Sequence, residues 1–347
     1  MKTNKFLIGF LLQATVCSSG LHAQTDLHAN AYSIIQDAVT DIVCTSPTDA
    51  IQKEKRVIQI LDGKGKGDAS FVCMCDRFSS LKKFSGEVRD ASGNVIRKIK
   101  KSELKVTEYS DELVSDDYYY FFEYTPSRYP ITITYEWEIK NSDGLIGYPS
   151  FLPQKNYNQS VAQASYRILT PADNPCRYRT INMQAEVSQK QTTDGNWLTE
   201  VKVQSLPAIQ KEPYSPALSE LLPRIYFTPR NFSFEGTKGS MDNWQTYGAW
   251  QYQLLNGRDQ IPPVLKEELQ RRTANCNTPY EKIAAVYQYL ASTTRYVSIQ
   301  LGIGGLQPIA AADVHRTGFG DCKGLSNYMR AMLTELGIPS VYTVIST

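Results

Sequence analysis

The sequence predicts a multidomain protein, with an antiparallel β-sandwich first and a region built on helices after it. Three observations carry this. From Arg56 to about Val203, apolar and polar residues alternate between closely spaced turn signals. A proline-spaced stretch follows. Beyond it the apolar period lengthens to three and four residues. A chain of 347 residues has room for two domains after a leader is removed.

The elements are taken in chain order. Residues 1–23 read as a signal peptide, with Lys2 and Lys5 as the basic start, Phe6 to Val16 as the apolar run and Leu21-His22-Ala23 as the small-residue cleavage site. The run is too short to remain as a membrane anchor, and no later stretch is long and apolar enough for a transmembrane segment. Cys17 raises a lipoprotein alternative, but Val16 stands where a small residue is expected before a lipid-modified cysteine. The expected localisation is therefore export, to the periplasm or cell envelope or into the medium. Removing Lys2 and Lys5 from the formal charge of +2 leaves the remainder near neutral. The one basic cluster, Arg97, Lys98, Lys100, Lys101 and Lys105, reads as a solvated strand edge, so no nucleic-acid partner is expected.

Residues 24–50 form a polar segment with one candidate helix, Tyr32 to Val43. Residues 51–205 form the β-sandwich. Its clearest strand is Tyr129 to Ile139, where Ile131, Ile133, Tyr135, Trp137 and Ile139 alternate with Thr132, Thr134, Glu136 and Glu138. Asp62-Gly63, Ser92-Gly93-Asn94, Asp143-Gly144 and Asp194-Gly195 mark turns. The aromatic run Tyr118 to Phe122 reads as a paired strand, with a sugar-binding platform as the rarer use. Residues 206–240, with Pro207, Pro213, Pro216, Pro223 and Pro229, read as an extended linker. Residues 241–347 carry the helices: Asp242 to Leu255, Pro263 to Ala274, and one opened by the capping box Thr278-Pro279-Tyr280-Glu281 with the stripe Ile283, Val286, Tyr287, Leu290.

After the leader the cysteines are Cys44, Cys73, Cys75, Cys176, Cys276 and Cys322. Cys73 and Cys75 share one face of a strand and read as core. No spacing of cysteine and histidine suits a metal, and no glycine-rich stretch is followed by Gly-Lys-Ser/Thr, so no metal or other cofactor is expected. Cys322 differs from the others. It follows Gly318-Phe319-Gly320-Asp321 and precedes a helical stripe at Leu325, Tyr328, Met329, Met332, Leu333 and Leu336, closed by Gly337 and Pro339. Asp321 can cap this helix, leaving Cys322 where free N–H groups and the helix dipole favour an anion, the setting of a thiol nucleophile. The blander reading is a small apolar residue opening a core helix. Gly-Asp before and Lys-Gly after the cysteine favour the nucleophile, because they keep the helix start open.

Gly320-Asp321-Cys322-Lys323, the helix after them and Gly337-Ile338-Pro339 resemble the transglutaminase-like superfamily, and Tyr296 to Pro308 resembles the segment preceding the cysteine in its bacterial members. Asp90 to Asn94, Tyr129-Pro130-Ile131 with Tyr135 and Glu136, and Pro207-Ala208-Ile209 with Glu212-Pro213 resemble the domain of unknown function that commonly precedes that module. The resemblance implies an α+β papain-like domain with a Cys-His-Asp triad, in which Cys322 attacks a peptide or protein amide and water or an amine resolves the thioester. Gln307 is then a candidate for oxyanion support. The triad histidine and aspartate are implied on strands after the cysteine, whereas here no histidine follows Cys322. The domain is accordingly expected to be truncated before them, with Ser340 to Ile345 as the first strand. His315 lies on the wrong side and reads as a polar loop residue. The alternative is an inactive envelope protein that binds peptide or glycan through its sandwich.

Overall fold

The computed structural model describes residues 26–108 and 114–345; the proposed leader lies outside them. Among the described residues the first half is organised by one eight-stranded sheet. Its strands are β1 (Ser33–Cys44), β2 (Asp49–Ile60), β4 (Ser79–Arg89), β5 (Val95–Lys100), β9 (Ile131–Ser142), β11 (Gln159–Thr170), β13 (Val187–Gln191) and β14 (Trp197–Leu206), where β3 is Phe71–Cys75, β6 Lys105–Glu108, β7 Val114–Ser115, β8 Tyr118–Phe122, β10 Tyr148–Phe151 and β12 Arg177–Ile181. The spatial order is β13-β14-β11-β1-β2-β9-β4-β5. Neighbours are antiparallel except β1 and β11, which run parallel.

Two three-stranded sheets complete the sandwich. One is β3-β8-β6; the other is β10-β15-β12, with β15 at Arg224–Thr228. The first packs Phe71, Cys73 and Cys75 against Ile58, Ile131, Ile133 and Tyr135. The second packs Phe151, Ile225 and Phe227 against Ile35, Ala164, Tyr166 and Val201. Ile35 lies directly opposite Ile58 across the β1/β2 ladder, so both small sheets cover the same face of the large one. The other face is solvated and carries pairs such as Lys83–Glu138 at 3.0 Å. The basic cluster sits on and beside the edge strand β5, as its composition suggests.

The structure corrects three readings. Tyr32 to Val43 is not a helix but most of β1, an interior strand paired on both sides. Its β-branched residues Ile34, Ile35, Val39, Thr40 and Ile42 suit a pleated sheet, and two long partners outweigh the helical spacing. The segment 206–240 is more than a linker. Between Pro223 and Pro229, Ile225 and Phe227 point into the core and make β15 the centre of the second layer. It also holds the short helix α1 (Leu218–Leu221) and the hairpin of β16 (Asn231–Phe234) and β17 (Thr237–Ser240). Finally, 340–345 belongs to no ladder, and Val341 and Ile345 are exposed.

The second half is helical: α2 (Trp244–Gln253), α3 (Pro263–Thr273), α4 (Pro279–Thr293), α5 (Ala311–Thr317) and α6 (Cys322–Glu335), with the short strands β18 (Arg295–Tyr296), β19 (Ile299–Gln300) and β20 (Phe319–Gly320) between them. The Thr278–Glu281 capping box forms in both directions. Leu265, Leu269, Val286, Tyr289 and Val314 bury the apolar stripe of α6, in which Tyr328, Ala331 and Met332 are solvent-free. Among the described residues no helix is long and apolar enough to cross a membrane.

Candidate active site

The site is built on the start of α6. Asp321 is extended, and its Oδ1 accepts the Gly324 N–H at 2.9 Å, so it is the N-cap. Its other oxygen pairs with the Lys323 ammonium. Both partners are largely buried, so the pair fixes the cap geometry; removing one would strand the other charge. Leu325 N–H donates to the Asp321 carbonyl at 2.9 Å. The N–H groups of Cys322 and Lys323 have no intrahelical carbonyl to reach and lie at the positive end of the helix dipole.

The first turn is open only on the cysteine side. Gly324 is buried, and a Cβ there would come within 2.8 Å of Ile309 Cγ1, so glycine lets the helix approach that loop closely. Cys322 is exposed; Cys44, Cys73, Cys75 and Cys176 are buried and Cys276 is half-buried, all of them free thiols.

Two tyrosines flank the thiol. β18 lies parallel to β20, with Tyr296 opposite Gly320 and the Val297 N–H donating to the Gly320 carbonyl at 3.0 Å. This places Tyr296 against Cys322, and the Tyr296 hydroxyl is pushed up by desolvation and then by the neighbouring thiol. Tyr342 stands within electrostatic reach on the stretch after α6; burial, then Cys322 and Asp321, push it up to about 12. Beside Tyr342 opens a cleft of about 1030 Å³, whose walls include Tyr178, Tyr226, Trp244, Tyr247 and Tyr252. Trp244 is 85% exposed, so the cleft presents an uncovered aromatic surface.

The other sequence candidates fall elsewhere. Gln307 Oε1 accepts from Arg258 Nη2 at 2.8 Å, and its Nε2 donates to the Leu254 carbonyl at 3.2 Å, so its amide ties a loop to the end of α2. His315 lies in the last turn of α5 and not in a loop, which corrects its placement. Its Nδ1 is 3.1 Å from the hydroxyl of Tyr328, a residue of the helical core. The structure thus brings Cys322, Asp321, Tyr296 and Tyr342 together and leaves His315 apart. Tyr296 opens the segment that resembles the stretch before the cysteine, whereas Tyr342 carries no motif; the strand pairing and the path of the chain after α6 bring the two to the thiol.

Residues 50–210 match the family description "Domain of Unknown Function with solved-structure structure (DUF3857)", and residues 267–345 match "Transglutaminase-like superfamily". No curated protein matches the chain. Among solved structures, a "putative protease" from Parabacteroides distasonis superposes with a TM-score of 0.65 at 14% identity, covering 89% of this chain and 59% of that one. The chain thus spans about three fifths of that protein's length, and the likeness is one of fold. An M1 zinc metallopeptidase from Deinococcus radiodurans (TM-score 0.29, 9% identity, 72% of this chain and 54% of that one) and a "putative nutrient binding protein" from Legionella pneumophila (0.28, 8%, 77% and 82%) are too distant in shape to carry an argument. A sheet-rich first region followed by a mixed α/β region is the fold class read from the sequence.

Proposed function

We propose that this chain, which carries a domain of unknown function ahead of a transglutaminase-like core, uses Cys322 as the nucleophile of an acyl transfer from a peptide or protein amide. One observation carries the reading: among the described cysteines Cys322 alone is exposed, and it stands at a capped helix start within electrostatic reach of Tyr342, which lines an aromatic cleft. The thiolate adds to the amide carbonyl carbon, and the developing oxyanion is met by the N–H groups at the start of α6, where the Cys322 N–H also faces the Tyr296 hydroxyl. The C–N bond breaks, the leaving amine takes its proton from solvent water, and a thioester remains. Water then gives hydrolysis, or a second amine gives transamidation. General acid–base help in such steps is worth roughly 100–10,000-fold, and His315 has its Nδ1 committed to the Tyr328 hydroxyl.

The test is incubation with glutamine-containing peptides, with and without a primary amine. Release of ammonia or amine incorporation, abolished by Cys322→Ala, is the expected result; turnover that survives the substitution contradicts it. The exposed Trp244 and Tyr252 favour a second reading, peptide or glycan binding without turnover, which predicts that Cys322→Ala leaves saturable binding as the whole activity. The leader extends the proposal to export. N-terminal sequencing of envelope-extracted protein is expected to begin at Gln24, and a lipid-modified Cys17 would overturn that.

A further inference from the structure

The segment between the two tyrosine-flanked elements and α5 is not held by the helical half alone. Gly302 N–H donates to Asp116 Oδ2 at 3.1 Å, and Ile303 N–H donates to Glu235 Oε2 at 2.9 Å. Arg77 bridges the two carboxylates, with Nε 3.5 Å from Asp116 Oδ2 and Nη1 3.3 Å from Glu235 Oε1. Asp116 and Arg77 come from turns of the sandwich, after β7 and after β3. Glu235 comes from the tip of the β16–β17 hairpin, which is itself tied back to the sandwich by its N–H on the Asp143 carbonyl at 3.1 Å and by Phe234 against Phe78 at 4.8 Å between ring centres. Next to this lock β7 pairs in parallel with β19, Val114 opposite Ile299 and Ser115 opposite Gln300. Ile303 and Leu306 pack into the apolar cluster of Phe232, Phe234, Trp250 and Leu254. Two charge-assisted hydrogen bonds, an ion bridge and a strand pair thus grip a few residues of the segment that runs from Tyr296 toward α5.

We propose that Asp116, Glu235 and Arg77 are positioning residues for the thiol site: the sandwich domain holds the Ile299–Ile303 loop, and through it the β18–β20 pair that sets Tyr296 beside Cys322. This gives the domain of unknown function a stated task, and it rests on the reading of Cys322 as the nucleophile. The transmission is short. Between Tyr296 and Gly302 lie only the loop residues Val297 and Ser298, strand β19 and Leu301, and the Arg295 and Val297 N–H groups are bonded to the Gly318 and Gly320 carbonyls at 2.9 and 3.0 Å, immediately before the cap of α6. Gly302 is part of the fit. Its φ is +49°, and a Cβ would lie 2.5 Å from Glu235 Oε1 and 2.6 Å from Arg77 Nη1.

The experiment compares the full chain with Gly302→Ala, which spoils the seat without removing a charge, and with Asp116→Ala/Glu235→Ala. Hydrogen exchange is read by mass spectrometry over 295–306. In both variants exchange is expected to be at least about tenfold faster at Gly302 and Ile303 and also at Arg295 and Val297, with β9 unchanged. Faster exchange confined to Gly302 and Ile303, or no change, overturns the proposal. If the double variant loses protection in β9 it has unfolded, and Gly302→Ala together with Arg77→Gln decides the matter. On a glutamine-containing peptide the variants are expected to lose at least about tenfold in kcat with KM within about twofold, as a misplaced site requires. A wild type without turnover counts against the proposed chemistry and leaves the exchange result, which reads the lock alone, standing.

Discussion

A limiting thiol reagent at neutral pH is expected to label Cys322 first in the folded chain and to leave Cys44, Cys73, Cys75 and Cys176 untouched. Two effects act in the same direction on Cys44, Cys73 and Cys176, whereas Cys75, whose thiol the hydrogen bond with Cys73 lowers, is protected by burial alone. Cys322 is exposed, while the other four are closed off in the two layers of the sandwich. Burial also raises the thiols of Cys44 and Cys176, the latter to about 12, and the hydrogen bond with Cys75 together with burial raises Cys73. A raised pKa keeps the thiol protonated at neutral pH, and only the thiolate attacks. Core segments open at a cost of several kcal/mol, so these four should react at least about 100-fold more slowly than Cys322. Cys276, half-buried at the end of α3, is the fair competitor. Peptide mapping after sub-stoichiometric iodoacetamide reads the order. Cys276 labelled ahead of Cys322, or Cys322 silent, would show that the start of α6 is not presented as described.

The second large effect is on stability. Phe227 at the centre of β15 stacks on Tyr166 of β11, with ring centres 4.2 Å apart and planes at 3°; both are buried. This stack joins the small sheet to the large one. Phe227→Ala is expected to cost about 3–5 kcal/mol, the lost burial plus the cavity left between the layers. Tyr166→Phe is the contrast. The Tyr166 hydroxyl is buried without a hydrogen-bond partner among the described residues, so removing it should cost little or stabilise. Urea unfolding followed by tryptophan fluorescence measures both. A Phe227→Ala cost below about 1 kcal/mol would mean that the segment around β15 is not packed as the second layer.

The two variants also bear on what the sequence makes legible. The period-two strand β9, the helix ends at Thr278 and Gly337, and the Asp321 cap can be read directly, because each is a local rule within a few residues. β1 cannot, since Ile34, Ile35, Ala38, Val39 and Ile42 also fit a helical spacing, and only the partners β2 and β11 decide between the two. β15 hides between two prolines because a short strand with two inward residues is a weak pattern. Arg77, Asp116 and Glu235 leave no trace at all. They sit in three separate turns, and their meeting around Gly302 follows from the topology of the sandwich and the path of the hairpin. The same holds for Tyr342 at the thiol, while Tyr296 lies in the segment whose resemblance is legible but whose contact with Cys322 is not.

The most direct measurement is the intact mass of the chain after brief incubation with a glutamine-containing peptide and rapid acid quench. Acid preserves a thioester, and mapping locates it. The account predicts one added acyl group of the mass of the peptide less ammonia, carried by Cys322, released by hydroxylamine and missing from Cys322→Ala. An adduct on Cys276 or on a lysine, or peptide turned over by Cys322→Ala at the wild-type rate, would contradict it.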